Sequence, residues 1–328
     1  MSIAIGDGSQ NNPFIVQNWD EFIEAVGIVG AYVEFPHTLN TNIIPTTDVN
    51  VYANKLYLDS SGVVQTNVQP SDLPNLYENT FTLDANDYAP EGLSTTISIA
   101  CDSINGYGGY IKNLASYDVD IFTNNYSGES HLIISQLAIL NFNVENHNFF
   151  NSRFCEWHYC IFSGRCKNNS IGNTTTLTVF GDSSTSINQD FTSCSFNLTL
   201  DGNVNPFEYY YIPYDYYGTY LRECRVEIHK VNNQNSSGGN MIVGGINSYF
   251  TGDIDGIFTI KFTNQSIYSI VEIETDEASF DYSGNISYIL VNTDTVTVSY
   301  IPGAYTQVTT TTLGDAAALS AMGFPIQT

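Results

Sequence analysis

Lysine and arginine are scarce in this chain. Nine of them stand against 34 Asp and Glu in 328 residues, a formal charge of −25. A protein that neutralises phosphate needs a basic face, so nucleic acid is excluded as a partner, and an anionic membrane surface with it. Charged residues of both signs make up only 13%, about half the usual share. The wetted surface must therefore be Asn, Ser, Thr and Gly. No window approaches eighteen apolar residues, which leaves no transmembrane helix. The opening segment lacks a basic and an apolar region, so no secretory leader is expected. Cysteine is sparse too. Six residues in apolar, strand-like surroundings fit reduced, buried thiols and not a disulfide framework. No phosphate-cradling G-x-x-x-x-G-K occurs, and the five His are scattered, so no catalytic triad can be assembled.

The chain is nonetheless 42% hydrophobic, with 23 Tyr and 19 Phe, ample for a core. Helical pattern occurs twice. Asn18 to Gly27 has Asn18 as cap and Glu21 three residues on, as in a capping box. Thr312 to Gly323 has Thr312 as cap and Pro325 beyond its end. Between them, short alternating runs predict strands: Tyr32 to Phe35, Ile97 to Cys101, Leu140 to Val144, Leu177 to Val179, Phe196 to Leu200, Phe258 to Phe262 and Val296 to Tyr300. No 10–15-residue helical pattern separates them, which excludes a doubly wound α/β fold.

A loose repeat runs through the middle. Phe191-Thr-Ser-Cys194-Ser-Phe196-Asn-Leu198 resembles Leu221-Arg-Glu-Cys224-Arg-Val226-Glu-Ile228, and the two Cys are 30 residues apart. Asn151 to Trp157, with Cys155, is read as an earlier, imperfect copy. Repetition at one coil length suits a stacked β-solenoid, in which like residues form ladders. An irregular β-sandwich or jelly roll is the alternative.

Gly6-Asp-Gly-Ser-Gln-Asn-Asn-Pro13-Phe14-Ile15-Val16, followed by Asn18-Trp-Asp-Glu-Phe22, resembles the entry strand and capping helix of pectin-lyase-like right-handed β-helix proteins. Ile104-Asn-Gly-Tyr-Gly-Gly-Tyr-Ile-Lys-Asn-Leu114 is similar to the first coil of the same proteins, and Leu319 to Ile326 resembles the end of many bacteriophage virion and prophage proteins. The resemblance implies a fibre, tailspike or appendage that is made in the host cytoplasm and carried on the virion as a homotrimer.

Three constellations are candidates for chemistry. Seven Tyr lie between Asn205 and Tyr220, where Glu208, Tyr209, Tyr210, Tyr211, Tyr214, Asp215, Tyr216 and Tyr217 form a projecting loop. Tyrosine offers a flat apolar face and a hydroxyl, which suit a sugar ring or a protein partner. Asp102, Asp118 with Asp120, Glu208 with Asp215, and Asp253 with Asp255 are the carboxylates that could serve a glycosidase, which needs two carboxyls about 5–10 Å apart. Asp118 and Asp120, two apart, would share one strand face. Asp253 and Asp255, between Gly252 and Gly256, are the best short Ca²⁺ site. Cys155, His158, Cys160 and Cys166 are zinc-ligand types at a spacing that fits no common finger. On one strand, Cys155 and Trp157 would point one way and His158 and Cys160 the other.

The sequence reading is therefore a mostly β protein with a right-handed parallel β-helix core and short helices near both termini. Residues 1–36 form a strand–helix cap, 37–93 an insertion, 94–256 the core, 257–302 further coils or a small β domain, and 303–328 a tail. The expected function is non-enzymatic and needs no cofactor: a bacteriophage structural protein that binds itself, other virion proteins and host surface polysaccharide. A polysaccharide depolymerase on the same scaffold, and a capsid decoration or cargo protein, are the rivals.

Overall fold

The computed structural model describes residues 5–40, 43, 55–65, 72–124, 132–152, 154–169, 177–181, 188–202, 204–207, 218–222, 224–231, 256–263, 270–272, 286–291, 297–300 and 305–308, with side chains through Val204. The protein is mostly β, and its three large sheets pair in parallel throughout. Sheet I has seven strands: Phe14–Ile15, Tyr32–Glu34, Ser103–Asn105, Leu132–Ser135, Phe154–His158, Asn188–Thr192 and Gly218–Arg222. Sheet II has ten: Thr82–Asp84, Tyr110–Lys112, Ala138–Glu145, Ile161–Lys167, Ser195–Asp201, Cys224–Val231, Gly256–Thr263, Ile286–Val291 and Tyr305–Val308, plus Ala115–Ser116 beside Ala138–Glu145. Sheet III has five: Ile97–Ile99, Phe122–Asn124, Phe150–Ser152, Leu177–Phe180 and Val204–Phe207.

The chain visits these sheets in a fixed order. Leu132–Ser135 lies in sheet I, Ala138–Glu145 in II and Phe150–Ser152 in III; then Phe154–His158, Ile161–Lys167 and Leu177–Phe180 repeat I, II, III. Each strand pairs with its counterpart one round later, so equivalent residues stack. Val33, Ile104, Ile134, Trp157 and Phe191 form one inward ladder. Leu83, Ile111, Ile139, Phe162 and Phe196 form the second. Ile97, Phe122, Phe150 and Phe180 form the third. All are buried. Rings stack within ladders, with Phe162 and Phe196 centroids 5.1 Å apart. They also meet across sheets, as Trp157 meets Phe150 at 4.8 Å and Phe162 at 5.0 Å. Each buried aromatic side chain contributes about 1.5–3 kcal/mol by transfer alone. Burial alternates along strands such as Phe154–His158, so only one face of each sheet meets the core. This differs from parallel sheets of α/β proteins, which helices cover on both faces.

The repeat seen in the sequence is a register. Phe191 pairs with Leu221, Phe196 with Val226 and Leu198 with Ile228. The Cys155 copy is out of phase, however. Trp157 pairs with Phe191, so the earlier copy is Trp157-His-Tyr-Cys160-Ile-Phe162. Cys155 pairs instead with Gln189. The reason is the bend between sheets I and II. Gln136, Tyr159 and Ser193 occupy it in successive rounds with φ of 52°, 55° and 53°. This left-handed residue interrupts the alternation, and the next residue, Leu137, Cys160 or Cys194, turns into the core. Such a conformation costs a non-glycine residue about 1–2 kcal/mol. Parallel hydrogen bonds offset it: Gln136 N donates to the His158 carbonyl at 2.8 Å and Tyr159 N to that of Thr192 at 3.0 Å.

The helix Trp19–Val26 matches the expected Asn18 to Gly27 segment. Asn18 Oδ1 accepts from Glu21 N at 3.1 Å, and Glu21 Oε2 accepts from Gln17 N at 2.9 Å, a variant of the capping box in which the carboxylate reaches the amide one residue before the cap. Its Trp19, Phe22, Ala25 and Val26 are buried at the edge of the strand stack, where Trp19 Nε1 donates to the Asp84 carbonyl at 2.7 Å. Within 37–93, Leu39–Asn40, Tyr77–Asn79, Tyr57–Leu58 and Val64–Gln65 make a four-stranded antiparallel sheet. The predicted helix from Thr312 to Gly323 lies outside the described residues.

Candidate functional surfaces

The antiparallel insertion covers part of the outer face of sheet II. Leu56 and Val64 pack on Tyr110, Ala138, Ile161 and Leu140, and Tyr110, Ala138 and Ile161 are one register row of that face. The row is apolar where the insertion sits, and its next described members are Ser195 and Arg225. A polar clamp closes the junction. Glu78 accepts from Tyr110 Oη at 3.1 Å and from Lys55 Nζ at 2.9 Å, and Lys112 Nζ lies 4.5 Å from the Tyr110 ring centre. Burial, with Glu78 adding to it, pushes the Tyr110 phenol well above its ordinary range. Burial and the Glu34 carboxylate push Tyr107 up to about 12. Both phenols stay protonated and act as donors, not as bases. This clamp has no local signature in the sequence, because Lys55, Glu78 and Tyr110 are far apart in the chain.

Outward polar residues form ladders of their own. Asn113 Nδ2 donates to both oxygens of Asp84, at 2.9 and 3.0 Å, and Asn141 Nδ2 donates to Asn113 Oδ1 at 3.1 Å. The Asn113 amide, and then the Asn86 backbone N–H, hold the Asp84 carboxyl below the usual carboxylate range. Asn113 and Asn141 both adopt positive φ, which Asn tolerates.

Among the described residues, the candidate carboxylates Asp102, Asp118 and Asp120 lie in two different bends. Asp118 and Asp120 do not share a strand face: they lie in the bend between Ala115–Ser116 and Phe122–Asn124. Asp118 is exposed, while Asp120 accepts from Asn148 N at 2.8 Å and Asn151 Nδ2 at 2.7 Å, one round on. These bonds join rounds and occupy both oxygens. Asp102 lies between sheets III and I, its backbone bonded to Ala31 and Ile133. Glu208, Tyr209, Tyr210, Tyr211, Tyr214, Asp215, Tyr216 and Tyr217 lie outside the described residues, between Val204–Phe207 of sheet III and Gly218–Arg222 of sheet I. Asp253 and Asp255 also lie outside them.

The cysteines at 101, 155, 160, 166 and 194 are buried thiols outside any disulfide. Cys155 and Cys160 both face the core, contrary to simple alternation, because Tyr159 resets the phase. Cys160 Sγ lies 3.5 Å from the Ile134 carbonyl and Cys194 Sγ 3.4 Å from that of Trp157. Burial pushes the Cys101 thiol up to about 12 and Cys155 well above its ordinary value. Such thiols are packing groups, not nucleophiles. Among the described residues, no three His, Cys, Asp or Glu are placed to hold a metal ion, and no helix is long and apolar enough to cross a membrane.

Together these features define a class: a protein of three parallel sheets visited in rotation, with a docked antiparallel insertion. No family model, curated protein or solved structure matches the chain.

Proposed function

We propose that the chain is a right-handed parallel β-helix and serves as a non-enzymatic structural component of a bacteriophage virion, a fibre, spike or appendage. The observation that carries the solenoid is the recurring I, II, III order with parallel pairing one round on. A jelly roll or sandwich would instead need antiparallel neighbours. Crossovers between parallel strands of one sheet are right-handed in nearly every case, which supports the handedness. The virion role rests on the sequence resemblance. Its opening motif becomes the Phe14–Ile15 edge strand and the Trp19–Val26 helix, and its first-coil motif spans the first bend from sheet I to sheet II. Gly106 in that bend has backbone as its neighbour: a Cβ there would lie 2.6 Å from the Gln136 carbonyl oxygen.

Stacked rounds make a stiff rod that holds loops at fixed spacing. The Tyr-rich segment 209–217 is the proposed contact for host surface glycan, and self-assembly, as a homotrimer, gives several copies of it. Locating the protein in purified particles, in a copy number divisible by three, tests the role; its absence from particles overturns it. Glycan-array binding that disappears on Tyr→Ala changes in 209–217 tests the contact.

A further inference from the structure

Positive charge, rare in the chain, is gathered on one face. Inward positions of sheet II are the ladder Phe162, Phe196, Val226, Phe258. The alternate positions of the same strands include Arg165, Lys167, Arg225, His229 and Lys261, with Arg165, Thr199, His229 and Lys261 in one register row. Four of the chain's nine Lys and Arg thus share this face, against only Asp201 and Glu227 of its 34 acids in those four strands. The outer face of sheet I leans the other way: Glu34, Glu156 and Asp190 lie on it against His158, 3.4 Å from Glu156, and Arg222, and Ile133, Glu156 and Asp190 form one row. Ile133 in that row is 39% exposed, an apolar centre for an acidic patch.

We propose that the outer face of sheet II in one copy docks on the outer face of sheet I in a second copy of this chain. The inference rests on the self-assembly in the functional reading above and names the surfaces that make it. Two chains of charge −25 repel on average, so association requires an orientation that sets positive against negative. Two different faces on each copy make a heterologous contact, which forms a ring where its rotation closes and an open filament where it does not. Burial of Ile133 supplies the apolar centre and the charges set register and partner choice.

The test is sedimentation of the full chain, of monomer mass 36.2 kDa, across concentration and salt. The expected result is assembly at low salt that weakens as ionic strength rises. Glu156→Lys with Asp190→Lys, or Arg225→Glu with Lys261→Glu, should each weaken association about tenfold or more. All four changes in one chain should recover most of it. Arg165 is left intact because it pairs with buried Asp201. Where a reversal disturbs the far-ultraviolet circular dichroism, the Gln versions of the same four positions replace it and should give a smaller loss in the same direction. A folded chain that stays monomeric, or an assembly indifferent to these changes, overturns the proposal. The virion role fails separately: a chain assembled through these faces but absent from particles refutes only that role.

Discussion

Gly164→Ala adds one methyl group to the inward row of sheet II. Its Cβ would lie 2.4 Å from Phe142 Cγ and 2.5 Å from the Phe142 carbonyl oxygen, against a carbon–carbon optimum near 3.5–4.0 Å. The ring would have to retreat by more than about 1 Å. It has nowhere to go, because Phe142 stacks on Phe149 at 4.2 Å and its strand is paired with neighbours on both sides. Overpacking of this kind costs about 1–3 kcal/mol, while the lost freedom of the unfolded glycine returns about 0.4–1 kcal/mol. The carbonyl contact places the net at the upper end, about 2 kcal/mol of destabilisation. Urea midpoints from circular dichroism, at constant slope, measure it. Phe142→Ala alone should cost about 3–5 kcal/mol through its cavity. Adding Gly164→Ala to that background should cost less than it does in the parent chain, because the ring contact is gone and only the contact with the residue 142 carbonyl remains. A neutral or stabilising Gly164→Ala, or additive costs in the double variant, would refute the stacking of Phe142 over Gly164.

Asn18→Ala should lower stability by about 1 kcal/mol through loss of the cap bond to Glu21, read from the same urea midpoints. Glu78→Gln should loosen the insertion, seen as faster proteolysis within residues 37–93 with circular dichroism unchanged; Tyr110→Phe, which removes one hydrogen bond worth about 0.5–1.5 kcal/mol, should have the smaller effect. The raised Cys101 thiol makes stability alkali-sensitive: the unfolded chain ionises it near 9 and the folded protein only near 12, so stability should fall as pH rises from about 9 towards 12. Cys101→Ala should flatten that fall, and an unchanged slope would refute the burial argument. Asp84 has the opposite sense. Its depressed folded value gives stability that is lost as pH falls through the carboxylate range, and Asn113→Ala should reduce that acid loss.

Local pattern in the sequence was enough for the helix, because Asn18, Glu21 and Gly27 are all close in the chain. It was also enough for strands with strict alternation, such as Ser195–Asp201, but not for Leu140 to Val144, where Asn141 at positive φ shifts the register and puts Leu140 on the other face from Phe142 and Val144. The 30-residue repeat gave the pairing of Phe191 with Leu221. Phase across bends was not legible, because Gln136, Tyr159 and Ser193 have no common side-chain type. Their left-handed conformation is imposed by the rounds above and below, and with it came the misplacement of Cys155 and Cys160. The pairing of charged groups across long separations, as in Lys55, Glu78 and Tyr110, follows from tertiary docking alone. Spacing two apart predicted one strand face for Asp118 and Asp120, but both lie in the bend before Phe122–Asn124.

The stacking of rounds is tested most directly by a distance. Tyr32, Ser103, Ile133, Glu156 and Asp190 are consecutive members of one outward row of sheet I, so four inter-strand steps of about 4.8 Å separate the backbones at its ends by about 19 Å. Spin labels at Tyr32→Cys and Asp190→Cys, in a chain with Cys224→Ser, should give a single narrow dipolar distance near that value, with the buried native thiols unlabelled. A broad distribution, or a mean beyond about 30 Å after allowance for label length, would contradict the stacked rounds on which the account depends.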